Sequence, residues 1–312
     1  MKPSGATVEP SGAAVTDQEV FEANRELLFA VAYRMLGAVA DAEDVVQDAW
    51  LRWSAAPRSG VAAPRAYLAR IVTRIALNRL RSVRARREAY VGPWLPEPLL
   101  TTTAPDTADR AELAESVSLA MLVVLESLTP EERAVFVLHE VFGFSHAEIA
   151  GTIGRTDAST RQLMHRAREH VQARRPRFDV DAAQQREVTQ RFLAAATGGD
   201  LDELMTVLAP DVTLITDGGG KVKAALRPIT GAAKVARGLT AAAGRRYMEI
   251  GASGLTIEAA EINGGPGMLV TAGGEPTVAV VTVVADGRIT AIYVVANPDK
   301  LRGLTAGHSL SP

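Results

Sequence analysis

The stretch from Leu128 to Arg177, LTPEERAVFVLHEVFGFSHAEIAGTIGRTDASTRQLMHRAREHVQARRPR, constrains the chain most, because it punctuates three helices with two tight turns. Thr129 precedes Pro130 and stands three residues before Glu132, so its hydroxyl and the carboxylate can satisfy orphan amides reciprocally. That helix directs Val135, Leu138 and Phe142 inward, and Gly143 breaks it. Ser145 with Glu148 repeats the capping pattern and opens a short helix that buries Ile149 and Ile153 until Gly154 ends it. Thr156 caps a third helix whose Leu163 and Ala167 face inward, leaving Arg161, Gln162, His165, Arg166 and Arg168 for solvent or a partner. Two short helices joined by a Gly-containing turn suit the major groove of DNA.

A helical hairpin with a solvated basic face is the bland alternative. Charge along the chain argues against it. The net charge of -2 hides a segregation: residues 65–87 contain Arg65, Arg70, Arg74, Arg79, Arg81, Arg84, Arg86 and Arg87 with no Asp or Glu. Acids lead in residues 1–64 and 88–132, and in the second of these Arg110 is the only basic residue. Such concentration implies a polyanion site, and Arg174, Arg175 and Arg177 offer further cations to phosphate.

A chain of 312 residues with 47% hydrophobic content can build two or three cored domains. Its zero cysteines exclude disulfides and thiolate metal sites, and fit a reducing compartment. No stretch approaches the ~18–20 apolar residues of a membrane span, so a cytoplasmic protein is expected, without export.

Taken in order, residues 1–16 form a small-residue tail expected to be disordered. From Asp17 the spacing of Phe21, Leu27, Leu28, Val31, Ala32, Met35 and Leu36 predicts one amphipathic helix ending at Gly37. Asp41 is expected to cap the next helix, DAEDVVQDAWLRW. Its Val45, Val46, Ala49, Trp50 and Trp53 share one side, and Asp44, Gln47, Asp48 and Arg52 the other. This acidic face is either ordinary solvated surface or a dock for a basic partner helix. A helix from about Arg65 buries Tyr67, Leu68, Ile71, Val72 and Ile75 and sets Arg70, Arg74, Asn78 and Arg81 on another face. Without acids for intrahelical pairing, that stripe repels itself unless an anion neutralises it.

Residues 17–177 resemble the two conserved regions of an extracytoplasmic-function sigma factor of bacterial RNA polymerase. DAEDVVQDAW at 41–50 is similar to the family's clamp-binding helix. RAYLARIVTRIALNRLR at 65–81 is similar to its minus-10 recognition and melting helix, and EIAGTIGRTDASTRQLMHRAR at 148–168 to its minus-35 helix-turn-helix. Two departures bear on promoter sequence: Asn78 stands where many members have Asp, and DAST replaces the more usual Glu-Gly-Thr-Val. The resemblance implies that Asp41, Asp44, Gln47, Asp48 and Trp50 help dock on polymerase. It implies that Arg70, Arg74, Asn78 and Arg81 engage the minus-10 element, and Ser159, Thr160, Arg161, Gln162, His165, Arg166 and Arg168 the minus-35 element. Arg161 and Gln162 are the candidates for base edges, and Arg166 and Arg168 for phosphates. The implied partners are promoter DNA and core RNA polymerase, through the clamp coiled coil of its beta-prime subunit and the beta flap.

Between the two regions, VGPWLPEPLLTTTAPDTAD is rich in Pro and Thr and expected to be extended. Asp109 with Glu112 restarts a helix carrying Leu113, Val117, Met121, Val124 and Leu128. An apolar WLPEPLL inside an acidic linker needs cover, so it is a packed strut or, preferably, a docking segment.

From Asp179 the composition becomes neutral and rich in Ala and Gly. A helix with Val188, Phe192, Leu193 and Ala196 leads through GGD into LDELMTVL. Strand-like runs follow at 212–216, 254–262, 268–270, 276–285 and 288–296. Helices followed by strands argue an α+β layer fold.

This module resembles the SnoaL-like branch of the NTF2-like fold, a curved sheet wrapped round helices into a cone. Sigma factors with such an extension form a group with three hallmark motifs. Here these are Trp94, Leu95, Pro96, Glu97 and Pro98; Asp217, Gly218, Gly219, Gly220 and Lys221; and Asn297, Pro298, Asp299, Lys300 and Leu301. The resemblance implies regulation in cis, with no separate anti-sigma factor. The expected boundaries are a tail at 1–16, a region 2 helical bundle at 17–88, a linker at 89–109, a region 4 helix-turn-helix at 110–177 and the SnoaL-like domain at 180–305.

Related cones house acid and base chemistry, so an enzymatic module is the alternative reading. The module's sole histidine, His308, lies in the tail, which leaves Asp217, Glu258, Glu261 and Tyr293 as candidate groups. No His and carboxylate cluster offers metal ligands, and DGGGK lacks the phosphate-loop spacing. No catalytic residue, metal or cofactor is therefore expected. The competing function is a one-component regulator that responds to a small molecule and makes no polymerase contact.

Overall fold

The computed structural model describes residues 16–55, 61, 63–101, 118–174, 182–250 and 254–305. Most of the expected N-terminal tail, the restart at Asp109 with Glu112, Leu113 and Val117, the exit arginines Arg175 and Arg177, and His308 lie outside them.

Four helices open the chain: α1 Asp17–Glu22, α2 Arg25–Leu36, α3 Val39–Ala55 and α4 Pro64–Glu88. Thr16 is the cap of α1, in a reciprocal box with Glu19. The single helix expected from Asp17 to Gly37 is broken at Ala23 and Asn24, where the Asn24 side chain donates to the Val20 carbonyl at 2.8 Å. Such local bonding competes with the helical ladder. Nor does Asp41 cap α3. The helix begins at Val39, and Glu97, 58 residues away, accepts the Val39 amide at 2.7 Å. No local sequence signal encodes a cap supplied from a distant linker.

The second helical stretch holds α5 Leu119–Glu126, α6 Pro130–Phe136, a π-helical turn at Val137–Val141, α7 His146–Ile153 and α8 Asp157–Gln172. Both expected capping boxes form, at Thr129 with Glu132 and at Ser145 with Glu148, and Thr156 caps α8. Gly143 and Gly154 close their turns at φ of 67° and 71°, a conformation that costs other residues energy. The two helical stretches share one core. Leu28, Met35, Leu68 and Val72 belong to the same buried cluster as Val135, Leu138, Ile149 and Leu163.

The third unit runs α9 Ala182–Gly198, α10 Leu201–Val207, β1 Leu208–Asp217, β2 Ile229–Thr230, α11 Ala232–Ile250, β3 Leu255–Ile262, β4 Gly265–Ala272, β5 Glu275–Ala285, β6 Arg288–Val295 and α12 Pro298–Thr305. Its strands form one sheet in the order β2-β1-β6-β5-β4-β3, antiparallel except for β1 with β6. Register shifts in β1, β4 and β5 bend it. The sequence reading places no helix or strand between 216 and 254. There α11 is Ala and Gly rich, and among its described side chains Ala232, Val235 and Ala236 are buried with Leu239 packed beside them, a face built mostly of small residues.

Both faces of this sheet are covered. Val278, Val280 and Ile292 pack against Val188, Phe192 and Leu204 of the helices. Ala279, Val281 and Tyr293, on the other face, pack against Leu95 of the linker, Leu119 of α5 and Leu301 of α12. This two-sided burial explains why β5 reads as a continuous apolar run rather than an alternating one. It also makes α5 apolar all round: Leu119 and Ala120 join the sheet cluster, while Leu122 and Leu125 join the helical core.

Candidate functional site

The arginines of the α4 stripe are exposed yet partnered within the chain. Arg74 donates through Nε to the Thr152 carbonyl and through Nη2 to the Gly151 carbonyl, both at 2.9 Å. These carbonyls lie in the last turn of α7, where orphan acceptors and the helix dipole favour a cation. Arg81 pairs with Glu131 at 3.2 Å, and Arg155 pairs with the same carboxylate at 2.9 Å. Arg70 sits over the Tyr67 ring at 5.3 Å, and Asn78 is exposed. The neutralising partner expected for the stripe is thus, at Arg74 and Arg81, the helix-turn-helix itself.

On α3, Arg79 bridges Asp41 at 2.7 Å and Asp44 at 2.6 Å, so part of the acidic face is tied to α4. Gln47 and Asp48 are exposed. Trp50 is half-buried, edge-on to Phe21 with ring centroids 5.0 Å apart, and belongs partly to the core.

Along α8, Arg161, Gln162, His165, Arg166 and Arg168 are exposed, and Ser159 is half-buried. Thr160 differs. It is fully buried, and its hydroxyl donates to the Thr156 carbonyl at 3.0 Å, so it faces the core rather than a partner. The exposed cations hold surface pairs: Arg161 with Asp157 at 3.0 Å and Arg168 with Glu140 at 2.6 Å. Pairs of this kind contribute only about 0–1 kcal/mol, so phosphate can displace them.

The three hallmark motifs meet around Asp217, whose side chain is fully buried. One carboxylate oxygen accepts the Tyr90 hydroxyl at 2.6 Å and the Gly219 amide at 3.0 Å. The other accepts the Leu95 amide at 2.8 Å and the Lys300 ammonium at 2.7 Å. Lys300 also donates to the Leu95 carbonyl, and Asn297 donates to the Tyr90 hydroxyl at 2.7 Å. Gly219, at φ 60°, is required by proximity: a Cβ there would stand 2.3 Å from Asn297 Nδ2. Lys221 stands aside from the buried hub and pairs with Asp299 at the surface. Pro298 is exposed at the first position of α12, whereas Leu301 is buried.

Of the linker residues, Leu95, Pro96 and Pro98 are buried. The cover expected for the apolar linker segment is not apolar at Trp94. Its ring lies between the Arg87 guanidinium, 3.5 Å from the centroid, and the Lys300 ammonium at 3.9 Å. Glu97 faces the helices: its carbonyl accepts the Tyr33 hydroxyl at 2.6 Å, and its own amide donates to Gly37.

Asn263 completes the junction, and sequence reasoning missed it. Fully buried at φ 52°, it donates through Nδ2 to the Tyr33 hydroxyl at 2.8 Å and accepts the Leu99 amide at 3.1 Å. The Asn263-Gly264 pair between two strand-like runs was the available signal, being the commonest tight-hairpin dipeptide. The groups considered for catalysis do not converge. Asp217 is committed to the hub, Glu258 is exposed, and Tyr293 lies on the linker-facing side of the sheet.

Burial draws the Lys300 ammonium down to about 8, against the Asp217 charge that favours it. The unfolded chain holds that proton up to about 10.5. Between these values the unfolded state binds more protons, so this group's contribution to stability rises with pH and is lost as pH falls through about 8. Urea unfolding at pH 7.5 and pH 9.5 should show this gain in the native chain and not in Lys300→Met. Equal pH slopes would remove the assignment.

Comparison with known proteins decides the family. Residues 20–87 match the model for sigma-70 region 2, and residues 118–171 that for sigma-70 region 4. The ECF RNA polymerase sigma factor SigJ of Mycobacterium tuberculosis is 42% identical over 292 residues, which cover 91% of this chain and 92% of that protein. The chain belongs to the extracytoplasmic-function RNA polymerase sigma factors.

The crystal structure of M. tuberculosis SigJ has a TM-score of 0.72 and 37% identity, and the match covers 91% of this chain and 98% of that one. The similarity therefore extends through the C-terminal α+β unit. The probable ECF sigma factor SigI of the same organism is 40% identical over 194 residues, 62% of this chain and 67% of its own length. As a member of the family this sigma factor is a non-enzymatic transcription initiation factor, and binding to core polymerase and promoter recognition follow from membership. No described helix is long and apolar enough to cross a membrane.

Proposed function

We propose that this sigma factor rests in a closed form in which its own modules cover its promoter-binding surface, and that the SnoaL-like unit maintains this form in cis. The observation that carries the reading is Arg74 on the last carbonyls of α7. In a promoter the minus-10 and minus-35 elements lie roughly 25 base pairs apart, on the order of 85 Å of B-form DNA. Modules in direct contact cannot span that distance, so the helix-turn-helix must leave α4 before both elements are engaged.

In the open form, Arg70, Arg74, Asn78 and Arg81 engage the minus-10 element, with Arg161 and Gln162 reading minus-35 bases while Arg166 and Arg168 hold phosphates. Asp41, Asp44, Gln47 and Asp48 dock on the clamp coiled coil, and the helix-turn-helix meets the beta flap. Restraint in cis takes the place of a separate anti-sigma factor, in the cytoplasm. The competing one-component regulator has no use for an acidic docking face on α3.

The native chain has no cysteine, so a designed pair is easily read. Arg81→Cys with Glu131→Cys, joined by a short bis-maleimide that contains a reducible disulfide, should lower core-dependent transcription from a cognate promoter by about tenfold. Reduction should restore it. Equal transcription with the link intact would exclude the closed resting form.

A further inference from the structure

A cavity of about 250 Å³ lies where α4, the linker, α5 and α6 meet. Its polar wall is Arg87, Arg133 and Glu126, and its apolar wall is Leu80, Trp94, Leu128 and Pro130. Two guanidiniums share one carboxylate here: Arg87 and Arg133 each donate to a different oxygen of Glu126. Their remaining bonds go to backbone, Arg87 to the Leu36 carbonyl and Arg133 to the Arg34 carbonyl.

That arrangement leaves donors over. Arg87 Nε and Arg133 Nη2 are buried and have no acceptor among the described residues, and the Arg133 side chain is only 1% exposed. Both guanidiniums line the cavity and share the single carboxylate of Glu126, and this surplus of positive charge favours an anionic occupant. The opposite wall is apolar, and Trp94 and Pro130 are half-buried and extend it towards the surface. A hydrated phosphate would leave that wall uncovered, whereas a flat apolar body covers it.

We propose that this cavity binds one small aromatic carboxylate, its carboxylate on Arg87 and Arg133 and its ring against Leu80, Leu128 and Pro130. Arg87 belongs to the minus-10 helix, Arg133 to the second helical module and Trp94 to the linker. An occupant held by both arginines therefore ties the two helical modules together and favours the closed form. This last consequence rests on the proposed resting state, whereas binding itself does not.

The test uses the full chain. Calorimetric titration with sodium benzoate should show one saturable site, at least tenfold tighter than inorganic phosphate. Leu80→Phe, which fills the cavity while leaving both guanidiniums, and Arg87→Gln should each weaken benzoate at least tenfold. Circular dichroism and a cooperative melt verify that each variant folds. Benzoate should also slow holoenzyme formation severalfold in the native chain and not in Leu80→Phe. Absence of saturable benzoate binding, phosphate binding as tight as benzoate, or benzoate binding indifferent to a folded Leu80→Phe would each overturn the site. Because the Arg81 and Glu131 link is read without benzoate, the closed form can stand if this site falls. Benzoate that binds as expected yet leaves holoenzyme formation unchanged overturns the coupling.

Discussion

Asp217→Asn is expected to destabilise the folded chain by about 3–5 kcal/mol, the usual cost of removing one partner from a buried ion pair. The substitution preserves volume, so packing loss adds little. What it leaves is the Lys300 ammonium, with a side chain only 6% exposed, no longer matched by a carboxylate. The acceptors for Tyr90, Leu95 and Gly219 weaken at the same time. Urea unfolding followed by fluorescence measures the cost. Adding Lys300→Met should recover much of it, because a buried pair exchanged whole for apolar volume is often nearly neutral. A loss below about 1 kcal/mol, typical of an exposed pair, would mean that Asp217 does not hold the junction.

Trp94→Ala is expected to cost about 3 kcal/mol, the lower part of the range for truncating a packed aromatic, since the ring is half-buried. The indole separates two cations, Arg87 and Lys300, and offers each a ring face. Its removal brings those charges into mutual repulsion across a void. If docking maintains the closed form, both Trp94→Ala and Asp217→Asn raise core-dependent transcription, by up to about tenfold for each 1.4 kcal/mol of docking lost. Since both act through Lys300 and the same linker, the double variant should exceed the larger single effect only slightly. Fully additive rises, or none from either, in a reconstituted transcription assay would show that linker and sheet unit act independently.

The features legible in the sequence were those whose physics is local. Capping boxes at Thr129 and Ser145, glycine stops at Gly143 and Gly154, and strand-like runs such as 276–285 each depend on neighbours a few residues away. Motif resemblance supplied the family and singled out WLPEP, DGGGK and NPDKL, although their meeting at Asp217 joins residues 83 and 122 positions apart. What escaped was set by tertiary contact. The cap of α3 comes from Glu97, Thr160 turns to the core, and Asn263 owes its role to Tyr33, 230 residues earlier. Lys221, singled out with the Asp217–Lys221 hallmark, reaches the surface because the turn at Gly219 and Gly220 has already reversed the chain.

The far-apart positions of these contacts also set an order in time. Both promoter-binding modules are complete by residue 172, whereas Asn263 and the segment 297–301 leave the ribosome much later. At synthesis rates of roughly 5–20 residues per second, that interval lasts about 6–25 s. During it, the nascent chain carries a finished helix-turn-helix and arginine helix with neither Asn263 nor Lys300 present to secure the linker. On the proposed closed form, restraint is acquired only after both promoter-binding modules are complete, and every newly made molecule passes once through an unrestrained stage.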